Sequence, residues 1–232
     1  MSPAVADTRL VRGARTRDAI LHRAMEIASV EGLNGLTIGR VANELDVSKS
    51  GLFAHFGSKE EFQLATVEAA EVVFTDRVVV PALRVEPGIR QVWAMCDCWL
   101  KYSREHTFPG GCFFFHVSAE FDAIPGRVRA AIAAARRKWI RRIEQAVRDA
   151  QRLDEIRGDA DAAQLAFELD ALATGAGGAA LLYDDPSMYN RGRRAMWSTL
   201  SASATKRSDL PVAAPPTPRI RRQPPRSVSQ SR

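Results

Sequence analysis

Residues 37–62, TIGRVANELDVSKSGLFAHFGSKEEF, encode two short helices, a tight turn between them and the start of a third. Thr37 is placed to cap the first helix, whose inward stripe is Val41, Ala42 and Leu45. Ser48 caps the second through its hydroxyl, and Leu52 and Phe56, four residues apart, share its inward face. Gly57 ends that helix, and Ser58 to Glu61 form a capping box that opens the next. Lys49, Ser50, Phe53 and His55 are left pointing outward. A short capped helix with a lysine, a hydroxyl and an aromatic ring on its outer face suits a DNA major groove.

The run DVSKSGLFAHFGSKEEF follows IGRVANEL and, before that, TRDAILHRAMEIASVEGLNGLT. Over roughly residues 14–64 this resembles the three-helix DNA-binding domain of the tetracycline-repressor (TetR) family. The resemblance rests on the spacing of Val47, Ser48, Gly51, Leu52, His55, Phe56, Ser58 and Lys59. Two positions depart from the family pattern. Asp46 stands where glycine is usual in the turn, and Phe53 where tyrosine is usual, so a phenolic contact to phosphate is replaced by packing. Beyond residue 64 the resemblance is one of architecture.

Thr37, Ser48, Lys49, Ser50, Gly51, Phe53, His55 and Lys59 are the candidate DNA-binding residues. Thr37 and Lys59 stand at helix starts, where backbone amides and an ammonium favour phosphate. Lys49 and Ser50 lie nearest the bases, and a lysine donates to guanine O6 or N7. Gly51 lets the backbone approach the DNA, and His55, toward the helix end, suits a phosphate. Arg12, Arg15 and Arg17 either track phosphate or belong to a solvated arm.

Outward from this unit, every segment with a clear pattern is helical. A helix begins at Thr16, carries Ile20, Leu21, Ala24, Ile27 and Ala28 on one face, and is closed by Gly32. Lys59 to Val80 is helical up to Pro81, and Ile89 to Arg104 forms the next helix. Pro109-Gly110-Gly111 forces a turn before Cys112–Phe121, whose length suits strand or helix and whose neighbours decide for helix. From Pro125-Gly126 to about Leu153 runs a long amphipathic helix with Val128, Ile132, Ala135, Trp139, Ile143 and Ala146 inward. Its Arg136, Arg137, Lys138, Arg141 and Arg142 read as a solvated face with acidic partners such as Glu144. Ala162–Tyr183 is apolar nearly all round, and one more helix follows Pro186. The fold class is therefore all-α with about nine helices and no internal repeat. A flexible arm (1–13) precedes a helix-turn-helix domain (14–60), a larger helical bundle (61–204) and a disordered basic tail (205–232).

Composition bounds the setting. The net charge of +6 resides in the tail, where residues 205–232 carry seven basic groups and one acid. Three cysteines without framework spacing argue against disulfides and for a reducing compartment. With no signal segment and no apolar run near ~18 residues, a cytoplasmic protein without a membrane segment is expected.

Cys96-x-Cys98 and Cys112-x3-His116 tempt a metal reading. On a helix, residues two apart point about 200° away from each other, and Cys112 with His116 supplies only two ligands, so no metal is expected. No phosphate loop, carboxylate pair or nucleophile motif is present, so no enzyme and no cofactor are expected. Three adjacent phenylalanines cannot all face one core, so Trp93, Trp99, Cys112, Phe113, Phe114, His116 and Trp139 are candidates to line an effector cavity. Gly175, Gly177 and Gly178 make a small-residue face for helix packing, either within one subunit or, with Trp197, between two. The resemblance implies the second, together with a homodimeric repressor on a pseudo-palindromic double-stranded operator, released by a small apolar or amphipathic effector. The alternative is a nucleic-acid-binding protein without an effector, acting architecturally through its basic tail.

Overall fold

The structure, a computed structural model, describes residues 3–206 and residue 210, with side chains described from residue 16 onward. Nine helices account for the described residues: α1 Pro3–Glu31, α2 Ile38–Glu44, α3 Lys49–Phe56 and α4 from Lys59, which passes Phe74 into a π-helical turn, Thr75–Val79, and ends at Ala82. There follow α5 Ile89–Arg104, α6 Phe113–Phe121, α7 Arg127–Arg152, α8 Ala162–Leu182 and α9 Ser187–Ser203. No strand occurs among the described residues; an isolated bridge joins Ile156 to Ala204.

Caps set the head as the sequence requires. The Thr37 hydroxyl accepts from the Arg40 amide, Ser48 from Gly51 and Ser58 from Glu61. Asp46 takes the left-handed conformation (φ 52°) that the α2–α3 turn demands, so the usual glycine is dispensable there. Ile20, Leu21, Ala24, Val41, Leu52 and Phe56 are buried together in the core cluster.

The body is organised by aromatic rings. Phe74 of α4 makes edge contacts with Trp99 and Tyr102 of α5, Phe114 of α6 and Trp139 of α7, with ring centroids 5.0–6.5 Å apart. All six inward residues expected of α7 are buried. The helices α8 and α9 approach closely because Gly192 has no side chain: a Cβ there lies 2.4 Å from the Ala176 methyl.

Two boundaries differ from expectation. Helix α1 begins at Pro3, not after Thr16; proline is accommodated in a first helical turn, and the residues that follow hold no strong helix stop. At the other end the fold continues past residue 205. The Thr205 amide donates to Glu155 O (2.9 Å), Arg157 to Ser203 O (2.9 Å), and Leu210 is 5% exposed. Residues 207–209 and 211–232, and with them most of the expected tail, lie outside the described residues.

Because Leu210 belongs to the core, Leu210→Ala is expected to destabilise the protein by about 2 kcal/mol or more, measured by urea unfolding. Unchanged stability would mean that the core ends before the tail.

Candidate nucleic-acid interface and effector cavities

The eight residues expected at DNA are all exposed. Phe53 has 53% of its surface open, while Leu52 and Phe56 anchor the opposite face of α3 in the core. The Lys49 side chain crosses α2 at Gly39, where a Cβ sits 3.3 Å from its Cε, so its stem is positioned by the neighbouring helix. Ser48 and Ser50 hydroxyls lie 3.4 Å apart at the start of α3. Arg17 stacks over the Phe56 ring (5.2 Å), which engages one of the three arm arginines in packing the head. Arg12 and Arg15 have no described side chains. An ion-pair chain that the sequence did not reveal ties α1 to α2: Arg23 bonds Glu44 (2.5 Å), Glu44 bonds Arg40 (3.0 Å), and Arg40 bonds Glu31 (2.7 Å). These hydrogen bonds raise the Arg40 pKa further and lower those of Glu31 and Glu44.

Lys59 has a second occupation. Its ammonium donates to Asn34 O (2.8 Å), and Gln63 of the same helix donates to Leu33 O (2.8 Å). From the other side the Glu120 carboxylate of α6 accepts from Leu33 N (2.6 Å) and Asn34 N (2.7 Å). Both amides and both carbonyls of Leu33 and Asn34 are thus held by α4 and α6. Next to it, Gly110 presses on the end of α1 so closely that a Cβ meets Ser29 O at 1.8 Å, and its amide donates to Ser29 Oγ (3.0 Å). His116 Nε2 donates in turn to Gly110 O (2.8 Å). At the start of α7, Arg127 pairs with Glu61 (2.5 Å) and Glu60 (3.2 Å).

Two small cavities, each of about 10 Å³, flank the edge contact between Trp99 and Trp139. The first lies among Trp99, Ser103, Cys112, Phe115 and Thr174, and the Thr174 hydroxyl is buried without a hydrogen-bond partner. The second lies among Phe74, Phe114, Trp139, Arg136, Arg142 and Glu71. Each has room for about one water.

Of the expected lining residues, the structure brings Trp99 and Cys112 to one cavity and Phe114 and Trp139 to the other. It does not bring Trp93, Phe113 or His116 to either. Trp93 lies under Arg193 (4.9 Å), Phe113 is fully buried between Phe108 and Phe114, and His116 holds the Gly110 loop. Phe115, Ser103 and Arg136 were missed. Burial pushes the Cys96 thiol up to about 12 and raises those of Cys98 and Cys112, so all three stay protonated near neutrality.

The basic face of α7 is less solvated than its sequence suggests. Arg136 Nη2 donates to Asp170 Oδ2 of α8 (2.6 Å) and its guanidinium lies 5.7 Å over the Trp99 ring. Burial pushes the Asp170 carboxyl up, while Arg136 pulls it the other way. Lys138 pairs with Glu71 (2.5 Å), and Glu144 serves Arg148 (2.5 Å) instead of the arginine cluster.

The glycines of α8 divide. A Cβ on Gly178 meets the Phe115 ring at 2.7 Å and one on Gly177 meets Ser103 Oγ at 3.3 Å, so both pack within the subunit, as does half-buried Trp197 against the core. Gly175 alone of the three is exposed, with nothing within reach of a Cβ. It stands in a row with Phe167 (60% exposed), Ala171 and Leu182 (79% exposed), which fall within about 80° of one face. Against the expectation from composition, α8 is by length and apolarity alone long enough to cross a membrane. Its Asp170 is nevertheless bonded to Arg136 inside the bundle.

An exposed, capped reading helix on a three-helix head, clamped to an all-α body with aromatic-walled cavities, defines a helix-turn-helix DNA-binding regulator with a separate second domain. Residues 20–66 match the model for bacterial regulatory proteins of the tetR family, and residues 88–196 match the tetracyclin repressor-like C-terminal domain. The chain belongs to the TetR family of transcriptional regulators. It is 26% identical over 156 residues to the transcriptional regulator AcuR of Cereibacter sphaeroides, covering 64% of this chain and 68% of AcuR. A TetR transcriptional regulator from Chloroflexus aurantiacus has the same fold, with TM-score 0.78 at 23% identity over 83% of this chain and 98% of that one. So has AibR, solved in complex with isovaleryl coenzyme A and operator DNA, with TM-score 0.62 at 18% identity over 79% and 95%.

The inward role of Gly178 has a direct consequence. Gly178→Val must displace the Phe115 ring and is expected to destabilise the fold by about 1–3 kcal/mol. Gly175→Ala meets open space and gains up to about 1 kcal/mol in helix propensity. Denaturant midpoints of the two variants moving in the same direction would contradict this division of the stripe.

Proposed function

We propose that this regulator is a homodimeric repressor that reads a pseudo-palindromic operator with α3 and is released when a small effector opens the cavities beside Trp99 and Trp139. One observation carries the reading. Helix α6 supplies walls to both cavities through Phe114 and Phe115, and it also holds the head's α1–α2 turn through Glu120. An effector that shifts α6 therefore acts on the spacing of the two reading helices. Linkage then makes the loss of operator affinity equal to the coupling free energy between the two sites. The fold shared with AibR, which holds an acyl coenzyme A and operator DNA, supports a body of this kind as a sensor.

In this reading Lys49 and Ser50 face base edges, Thr37, His55 and Lys59 face phosphate, and Phe53 packs on sugar or a thymine methyl. The exposed row of α8 that runs from Phe167 past Gly175 to Leu182 is the proposed dimer face, its contacts made by Phe167 and Leu182, which also accounts for the apolarity of that helix.

The test uses operator sequences selected from random DNA by the full-length protein. Lys49→Ala is expected to cost about 1–3 kcal/mol in binding and to relax preference at one base position per half-site. Footprinting without sequence-specific protection would place the reading surface elsewhere. Phe167→Glu puts a carboxylate into the proposed apolar interface from each subunit and is expected to yield monomers in sedimentation, with operator affinity falling accordingly. An unchanged dimer in that variant would remove α8 from the interface.

A further inference from the structure

The second cavity, between α4, α6 and α7, has an unbalanced charge. Three charged residues line it: Glu71, Arg136 and Arg142. Glu71 is neutralised by Lys138 (2.5 Å) and Arg136 by Asp170 (2.6 Å). Arg142, half-buried, has no ion pair or hydrogen bond among the described residues, and the nearby Glu144 is occupied by Arg148. One positive charge is left over beside the rings of Phe74, Phe114 and Trp139. Arg136 also keeps donors in reserve. A guanidinium has five N–H groups, and only Nη2 is bonded to Asp170.

We propose that this cavity binds an amphipathic monoanion, a carboxylate borne on an apolar chain. Arg142 and the free edge of Arg136 hold the carboxylate, and the aromatic rings take the chain. The proposal rests on the effector reading above and names the ligand class of that site. A cation meets Arg136 and Arg142 and is repelled. A neutral ligand leaves the arginine donors without an anionic partner. A dianion overcompensates one unpaired charge beside Glu71. The monoanion alone closes the balance, and it does so without stripping Asp170 of its partner, a loss that leaves a buried charge uncompensated.

The cavity as it stands has room for about one water, so a chain of several carbons enters only by moving Phe114 or Trp139. Trp139 borders the first cavity through Trp99, and Phe114 is on α6 beside Phe115. Filling the site therefore displaces the helix that carries Glu120.

Sodium carboxylates from acetate to decanoate, the matching primary alcohols and the matching alkyltrimethylammonium ions are titrated into the full-length protein without DNA. Heat and tryptophan fluorescence are recorded together. Carboxylates are expected to bind, with affinity rising about fourfold per methylene until the cavity is filled. The alcohols are expected to bind at least about tenfold more weakly, since they lack a charge-assisted bond. Arg142→Leu is expected to lose the same factor and Arg142→Lys to recover part of it, both with a melting temperature near that of the wild type, because Arg142 has no ion pair or hydrogen bond among the described residues. Arg136→Lys, which keeps a cation beside Asp170, gives a second check. Equal binding of alcohols and carboxylates, preference for the ammonium ions, or undiminished carboxylate binding by Arg142→Leu overturns the proposal. Operator affinity is then measured with each compound. Arg142-dependent carboxylate binding that leaves operator affinity unchanged sinks the release reading and keeps the site. Operator release by alcohols or ammonium ions, with carboxylates inert, sinks the site and keeps the release reading.

Discussion

The two peptide groups of Leu33 and Asn34 hold the molecule together as a device. Their amides are taken by one carboxylate, Glu120, and their carbonyls by Gln63 and Lys59, so all four backbone groups of these two residues are bonded to side chains. Bonds to charged groups contribute about 1.5–3 kcal/mol each, more than the neutral average, and three of these four involve a charge. The turn in turn positions α2 and, through Val41, Leu52 and Phe56, the reading helix α3. Gly110 repeats the principle at the preceding residues. It presses backbone against backbone at Ser29, so the head cannot slide along α6 without losing both contacts. Head and body meet through a few short, directional bonds, and such an interface has a small number of discrete arrangements.

Local signals carried most of what was legible in the sequence. A cap, an inward pair and a stop residue all fall within a ten-residue stretch around α3, and the structure places Ser48, Leu52, Phe56 and Gly57 as that pattern demands. The long amphipathic stripe of α7 was equally plain, because six buried positions repeat at helical spacing over five turns. The clamp was not legible. Glu120 is 87 residues from Leu33, and nothing in its neighbourhood distinguishes a carboxylate that accepts two amides from one that meets solvent. The division of the α8 glycines was hidden for the same reason. Adjacent glycines look alike in sequence, yet Gly178 meets Phe115 and Gly175 meets nothing. Gly110-Gly111 signals a turn in the sequence, but not the α1 contact that explains it. Leu210 went unrecognised because a single apolar residue in a Pro- and Arg-rich stretch shows no period.

The aromatic cluster of the body is where packing and the proposed ligand binding compete. Phe74, Trp99, Phe114 and Trp139 interlock edge to face, which favours one arrangement of α4 to α7. Inside this apolar setting sits the Arg136–Asp170 pair, and burying two charges recovers little net stability compared with apolar side chains of similar size. A cluster selected for stability alone has no need of it. What the pair supplies is a cation held at a fixed place over Trp99, beside a cavity and one helix away from the clamp.

The small size of the cavities gives this arrangement its direction. A ligand that fitted a ready-made pocket would bind without moving α6 and have no leverage on the DNA, since equal affinity for two states shifts neither. Here each cavity measures about 10 Å³, so a ligand larger than water is buried only by displacing wall residues, among them Phe115 in the first cavity and Phe114 or Trp139 in the second. That work is drawn from the binding free energy, so on the proposed reading the ligand favours the displaced arrangement over the one seen here by the same amount. Phe115 rests on Gly178 and Glu120 on the Leu33–Asn34 amides, five residues apart on one nine-residue helix. So short an element cannot absorb a displacement at its first turn by bending, and the motion has to appear at its last, where the head is held.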